Sequence, residues 1–165
     1  MKKLSLIVLL IYSMLSYAQS SFNRAIEQLG VDLKYYPETK IEEKSLTINL
    51  FKETKEFCEE NIPKINVINF NEFSKARSVE IKSKKPLGGN IYLRLTIEEW
   101  TFSDVKRARD FERKFKLIRH LDCLNKGGIE FWRVKEKMYL IISPATMFSY
   151  EFGKVKKSMN KILIY

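Results

Sequence analysis

At 165 residues, with 45% hydrophobic, 30% charged and 13% aromatic side chains, the chain has the composition of one globular domain and too many apolar residues for disorder. Its formal net charge of +10 directs attention to anionic partners. Two cysteines and one histidine exclude a disulfide-dense scaffold, a four-cysteine zinc site and any scheme that needs two imidazoles.

The chain opens on an export signal. Lys2 and Lys3 supply a positive start, Leu4 to Leu15 form an almost unbroken apolar run, and Ser16-Tyr17-Ala18 places small residues at the −3 and −1 positions before Gln19. Twelve residues of helix reach about 18 Å, short of a hydrocarbon core of about 30 Å, so the segment reads as a cleavable signal peptide over 1–18 and not as an anchor. No cysteine follows the cut to carry a lipid. The Lys-Lys start and the Lys/Ile/Asn-rich body resemble bacterial exported proteins, which places the mature chain in the periplasm or outside the cell. Cleavage leaves a single domain over 19–165, 147 residues with a net charge of +8. A chain of that size buries about 68% of its unfolded surface and needs no metal or cross-link merely to fold. Its charge is lopsided: Gln19 to Trp100 hold 13 basic and 13 acidic residues, whereas Thr101 to Tyr165 hold 15 and 7. The excess therefore sits in the last 65 residues, the pattern of a surface that meets something negative.

Helical spacing of Phe22, Ile26 and Leu29 after Ser20 or Ser21 predicts a first helix ending at Gly30. Val31 to Lys44, with Tyr35-Tyr36-Pro37, reads as a connecting loop or irregular edge. Alternation of Leu46, Ile48 and Leu50 predicts a strand, followed by a polar helix around Lys52 to Asn61 that Pro63 ends. Ile65, Val67 and Ile68 through Phe70 predict another short strand. Val79 and Ile81, the turn residues Pro86 to Asn90, and Ile91, Leu93, Leu95 and Ile97 predict a hairpin. Trp100 and Phe102 fall on the opposite parity, which requires a bulge near Glu98-Glu99 or a strand covered on both faces.

Beyond Ser103 the period changes to that of a helix from Asp104 to Leu121, with Val105, Ala108, Phe111, Phe115 and Ile118 apolar and Ser103 or Asp104 as its cap. Gly127-Gly128 ends the next connection, and Ile129 to Val134 with Met138 to Ile142 form a second hairpin turning at Lys135-Glu136. After Ser143-Pro144, the residues Phe148, Phe152, Val155, Met159 and Ile162 trace a last amphipathic helix. Hairpins and helices in runs define an α+β domain, a mostly antiparallel sheet with amphipathic helices packed on one face.

The helix from Asp104 carries the main candidate site. At 100° per residue its core positions gather near 260° and Lys106, Arg109, Arg113, Lys116 and His120 near 60°, a basic stripe opposite the core that contains no acid, although Asp110 and Glu112 flank it. Such a stripe suits an acidic protein, an acidic polysaccharide, phosphate or another anionic envelope component. It is also what an ordinary solvated face looks like. Lys154, Lys156, Lys157 and Lys161 form a second basic cluster on the last helix, which lies on lipid only if Phe148, Phe152 or Val155 is exposed.

Cys58 and Cys123 are a candidate disulfide, since an oxidising compartment favours pairing and a loop of that length is worth roughly 4 kcal/mol in the chain-entropy model. Two separate buried thiols are the alternative. A Cys123 nucleophile beside His120 lacks an orienting group and an oxyanion hole, and the glutamates around Cys58 oppose a thiolate there.

Glu80-Ile81-Lys82 matches the end of a metal-dependent nuclease strand but requires an acid such as Glu72 beside it. Adjacent Glu98 and Glu99 point to opposite faces of a strand. The aromatic and basic neighbours Trp132-Arg133 and Lys137 with Tyr139 fit core as well as nucleic acid, and no nucleic-acid motif spacing is present. No phosphate-binding glycine loop, G-x-S-x-G or Cys-x-x-Cys occurs, and the sequence calls for no metal or cofactor. The resulting expectation is an exported non-enzymatic binding protein, in its most specific form a periplasmic inhibitor or immunity-type protein using Lys106, Arg109, Arg113 and Lys116. The alternatives are a secreted hydrolase whose carboxylates, among Glu80, Glu98, Glu99 and Glu130, meet only on folding, and a structural envelope protein on anionic surfaces.

Overall fold

The structure, a computed structural model, describes residues 20–53, 68–116 and 127–164, with only the backbone of 50–53. The predicted signal peptide, Cys58, Cys123, Ile118 and His120 lie outside the described residues, as does the predicted helix beyond residue 53.

Helix α1, Ser21–Asp32, starts where Ser20 accepts the Asn23 amide, and it buries Phe22, Ala25, Ile26 and Leu29. Gly30 does not end it. The helix continues to Asp32, and the chain reverses at Lys34, whose φ of 59° lies in the left-handed region. Gly30 instead makes room for Tyr36, whose ring lies 3.3 Å from where a Cβ would stand. The chain then forms the short edge strand β1, Tyr35–Pro37, paired antiparallel with Ser83 to Ile81.

The predicted strand at Leu46, Ile48 and Leu50 is a helix, α2, Leu46–Glu53. Its first turn explains why. Ser45 Oγ accepts the Ile48 amide, and the Glu98 carboxylate accepts both the Thr47 amide and the Thr47 hydroxyl at 2.9 Å. Helix N-terminal amides that local alternation would have placed in a ladder are satisfied here by a cap and by a distant carboxylate. Of the short strand predicted through Ile65, Val67 and Ile68 to Phe70, Ile65 and Val67 lie outside the described residues, and Ile68 to Phe70 is no strand. The Asn69 side chain accepts the Asn71 amide and turns the chain, so the strand begins three residues later, after Phe70.

Strands β2, Phe73–Ser83, and β3, Arg94–Phe102, form the predicted hairpin with Val79 opposite Ile97. Its register is continuous through Glu98 and Glu99. The irregularity falls at Phe73/Lys75, and the parity change in β3 arises because that strand is covered on both faces. Helix α3, Val105–Phe115, follows; then β4, Gly128–Val134, and β5, Lys137–Ser143, turn at Lys135 with φ 54°. Gly127 abuts the backbone of Ala145 and Thr146 so closely that a Cβ would overlap it. A 3-10 turn, Thr146–Glu151, precedes the final helix α4, Phe152–Leu163, where a single helix was expected from Phe148.

The five strands run β1-β2-β3-β5-β4, all antiparallel, which establishes the α+β class. The helices divide between the two faces of the sheet. On one, α1 and α4 cover Val79, Ile81, Leu95, Ile97 and Ile141. On the other, α3 and α2 cover Ala76, Trp100, Phe102, Met138 and Leu140. The second face is aromatic: Phe111 meets Trp100 edge-on at 5.8 Å, and Phe115 meets Phe131 at 4.9 Å. Such ring pairs add about 0.5–1.5 kcal/mol each to the burial itself, so α3 rests on a stiff bed.

Candidate functional site

Asp104 starts α3 by accepting the Arg107 amide at 2.8 Å, and that hydrogen bond, reinforced by the Ser103 hydroxyl, holds its carboxyl below the ordinary range. From this cap the helical period sends Ala108, Phe111 and Phe115 into the aromatic face. The opposite side is then fixed by geometry. Lys106, Arg109, Arg113 and Lys116 are all exposed along it, as the spacing predicts.

The stripe has two parts. Arg113 is paired with Asp110 one turn back, and Lys116 lies 3.0 Å from Glu112. These are the flanking acids of the sequence, at the i,i+3 and i,i+4 distances where helix neighbours meet. Glu112 also receives Arg133 of β4 at 3.1 Å; burial opposes its ionisation, but Lys116 and Arg133 outweigh it and keep the carboxyl below the usual range. Lys106 and Arg109 have no acidic partner among the described residues. Arg113 is 72% exposed, and an exposed pair of this kind is worth about 0–1 kcal/mol, so a partner can take its guanidinium at little cost.

Beside the stripe lies an open depression of about 530 Å³, lined by Glu72, Arg107, Asp110, Arg113 and Lys114. Lys114 bonds Glu72 at 2.7 Å across its floor. No local pattern signals this hollow, because Glu72 reaches α3 only through the turn that precedes β2.

The basic cluster of α4 is arranged differently. Lys154 bonds Glu151, Lys156 bonds Glu130 of β4, and Lys161 bonds Asp32 of α1, each within 2.7 Å. The Lys161 bond, with Ser158, draws the Asp32 carboxyl below its ordinary value, and Glu151 raises the Lys154 ammonium. Phe148, Phe152 and Val155 are buried, so the condition for α4 lying on lipid is not met. It covers the sheet.

The four glutamates of the hydrolase expectation do not gather. Glu98 faces α2, where Ser45, Thr47 and Trp100 donate to it, and burial pushes its carboxyl up. Glu99 faces the other way, onto Arg77, Lys137 and Tyr139. Glu80 is exposed, and Glu130, held by Lys156, stands on β4, two strand spacings across the sheet and two residues along it from Glu99, about 12 Å away. Glu72 is engaged by Lys114 and lies eight residues from Glu80 along an extended chain, about 26 Å, so the two do not form the acid pair of a nuclease strand. Among the described residues no group of three or more His, Cys, Asp or Glu is placed to hold a metal. Trp132 and Tyr139 stack on each other at 5.5 Å in the core, and Trp132 donates to Asn160, which leaves neither ring to receive a base. No described helix is long and apolar enough to cross a membrane. Compared with the models of known protein families, with curated proteins and with solved structures, the chain matches none of them.

Proposed function

We propose that the chain is an exported, non-enzymatic binding protein that presents the outward side of α3 to an acidic protein, in its most specific form a periplasmic inhibitor or immunity-type protein. The observation that carries this reading is the state of Lys106 and Arg109: exposed, one turn apart, without an acidic partner among the described residues, on a helix anchored by three buried side chains. Unpaired cations on a rigid helix keep their full field for an incoming carboxylate and lose little side-chain packing when engaged. Arg113 and Lys116 extend the same surface, with their helix acids exchanged for the partner's. Two features bear on export and lack of chemistry. The amino-terminal signal pattern is a feature of the sequence, and the neighbouring carboxylates Glu98 and Glu99 point to opposite faces of the sheet, each engaged by its own donors.

Arg109→Glu/Arg113→Glu tests the reading. Binding to the captured partner is expected to fall at least roughly tenfold, as for charge reversal at a complementary surface, with the unfolding midpoint unchanged. Equal affinity in the double variant would remove α3 from the interface.

A further inference from the structure

At the opposite end of β3 from α3, residues 84–92 form a tip in which every residue is exposed. It is a built turn. The Leu87 amide donates to the Ile91 carbonyl at 2.8 Å, the Ile91 amide to Gly88 at 3.0 Å, and Gly89 takes φ 55° between them. Ser83 fixes its base, accepting the Leu93 amide and donating to the Lys85 carbonyl. Leu87, Ile91 and Tyr92 nevertheless remain 42%, 48% and 38% exposed.

The neighbours extend this surface. Tyr36, also exposed, stands opposite Lys82 on β1, and the Lys82 ammonium lies 4.6 Å from the Tyr92 ring. The Lys84 amide bonds the Lys34 carbonyl, and Lys34 in turn bonds Val31, which is 65% exposed. Five of the nine large exposed apolar residues among those described therefore collect at one end of the domain. Single exposed apolar residues are ordinary; a group of them at one pole is not.

Along the β2–β3 connection itself the charge has one sign. From Ile81 to Ile97 the chain holds Lys82, Lys84, Lys85 and Arg94 and no acid. Glu38 answers Lys82 and Arg94, which leaves Lys84, Lys85 and Lys34 without a carboxylate among the described residues. An apolar tip, tyrosines set back from it and lysines around the base match the layers of an anionic bilayer surface, with acyl boundary, interface and phosphate in that order.

We propose that the β2–β3 tip seats in the headgroup region of an anionic lipid surface, through Leu87, Ile91 and Tyr92 with Lys84 and Lys85 on the phosphates. The nine residues of β3 span about 30 Å, so the tip and the start of α3 are separate sites and the proposal does not rest on the reading of α3.

The test is co-sedimentation of the chain from Gln19 onward with vesicles of phosphatidylglycerol in phosphatidylcholine and with vesicles of phosphatidylcholine alone. Partition onto the anionic vesicles is expected, with much weaker partition onto the neutral ones. Leu87→Ser/Ile91→Ser should reduce it roughly tenfold or more, and Lys84→Glu/Lys85→Glu by at least about fivefold per lysine. Both pairs lie outside the core, and an unchanged unfolding midpoint would show that the loss is at the surface. Absence of partition by the parent chain, equal partition onto both vesicles, or partition that survives both tip variants would overturn the proposal.

Discussion

Helices α3 and α4 have similar stocks of basic residues and opposite uses for them. On α4, three lysines are matched to acids, two of them on β4 and α1 and one on the 3-10 turn before the helix, so the charge works inward and ties the helix to the fold. On α3, two of the four stripe cations meet only acids of their own helix, and Lys106 and Arg109 meet none among the described residues. The helices differ in where the acids stand: α3 carries Asp110 and Glu112 itself, whereas α4 has none and draws on its surroundings. A basic run is left open to a partner only where the fold supplies no carboxylate for it, which sequence counting cannot see.

The comparison would break first at the bed of α3. Phe111 is fully buried and touches Phe70, Trp100, Phe102 and Phe115, so Phe111→Ala should cost about 3–5 kcal/mol and, by loosening α3, weaken partner binding as well. Chemical denaturation alongside binding measures both; stability lost without any change in affinity would show that α3 need not be rigid. On the inward-facing side, Tyr35 donates to Glu151 at 2.7 Å, the acid that Lys154 also holds. Tyr35→Phe should cost about 1–2 kcal/mol in the same assay and leave binding intact. Smaller still, Lys156→Met should lower stability by less than about 1 kcal/mol, again with affinity unchanged. If Lys156→Met weakened binding as much as Arg109→Glu does, the division between the two helices would fail.

Two carboxyls on the α3 face sharpen the picture through pH. The Glu112 carboxyl is held low by Lys116 and Arg133 against the effect of burial, so its contribution is present above the unfolded value and is lost as pH falls through the folded one. Glu98 is raised by burial, so its contribution has the opposite sign: stability is greater at acid pH and declines as pH rises through its elevated folded value. Comparing the parent with Glu112→Gln and Glu98→Gln by thermal unfolding across acid and neutral pH should remove one slope in each variant. Identical pH profiles in all three would refute both assignments.

Much of this architecture was legible in the sequence because the deciding interactions are local. Both hairpins and the starts of α1 and α3 follow from alternation, turn residues and helical spacing, which narrowed the caps to Ser20 or Ser21 and Ser103 or Asp104. Of the misread elements, the turn at Asn69 is local, but the start of α2 depends also on a distant partner. Leu46, Ile48 and Leu50 alternate like a strand, but Glu98, more than fifty residues on, caps them as a helix. The parity change at Trp100 left a bulge and a strand covered on both faces equally open, and which helix covers which face is a matter of tertiary packing. For the candidate site, the exposure of Lys106, Arg109, Arg113 and Lys116 was readable from spacing. The Asp110 and Glu112 pairings were readable from the i,i+3 and i,i+4 rule. The engagement of Lys114 by Glu72 and of Glu112 by Arg133 was not, because each joins elements far apart in the chain.

The most direct test of α3 as the binding surface is a paired capture from the native envelope, with the tagged chain from Gln19 onward and its Lys106→Glu/Arg109→Glu form washed at low and then high salt. Retention of one protein by the parent, and its loss from the variant at the same unfolding midpoint, is the expected result. Equal retention of that protein by both forms would contradict it.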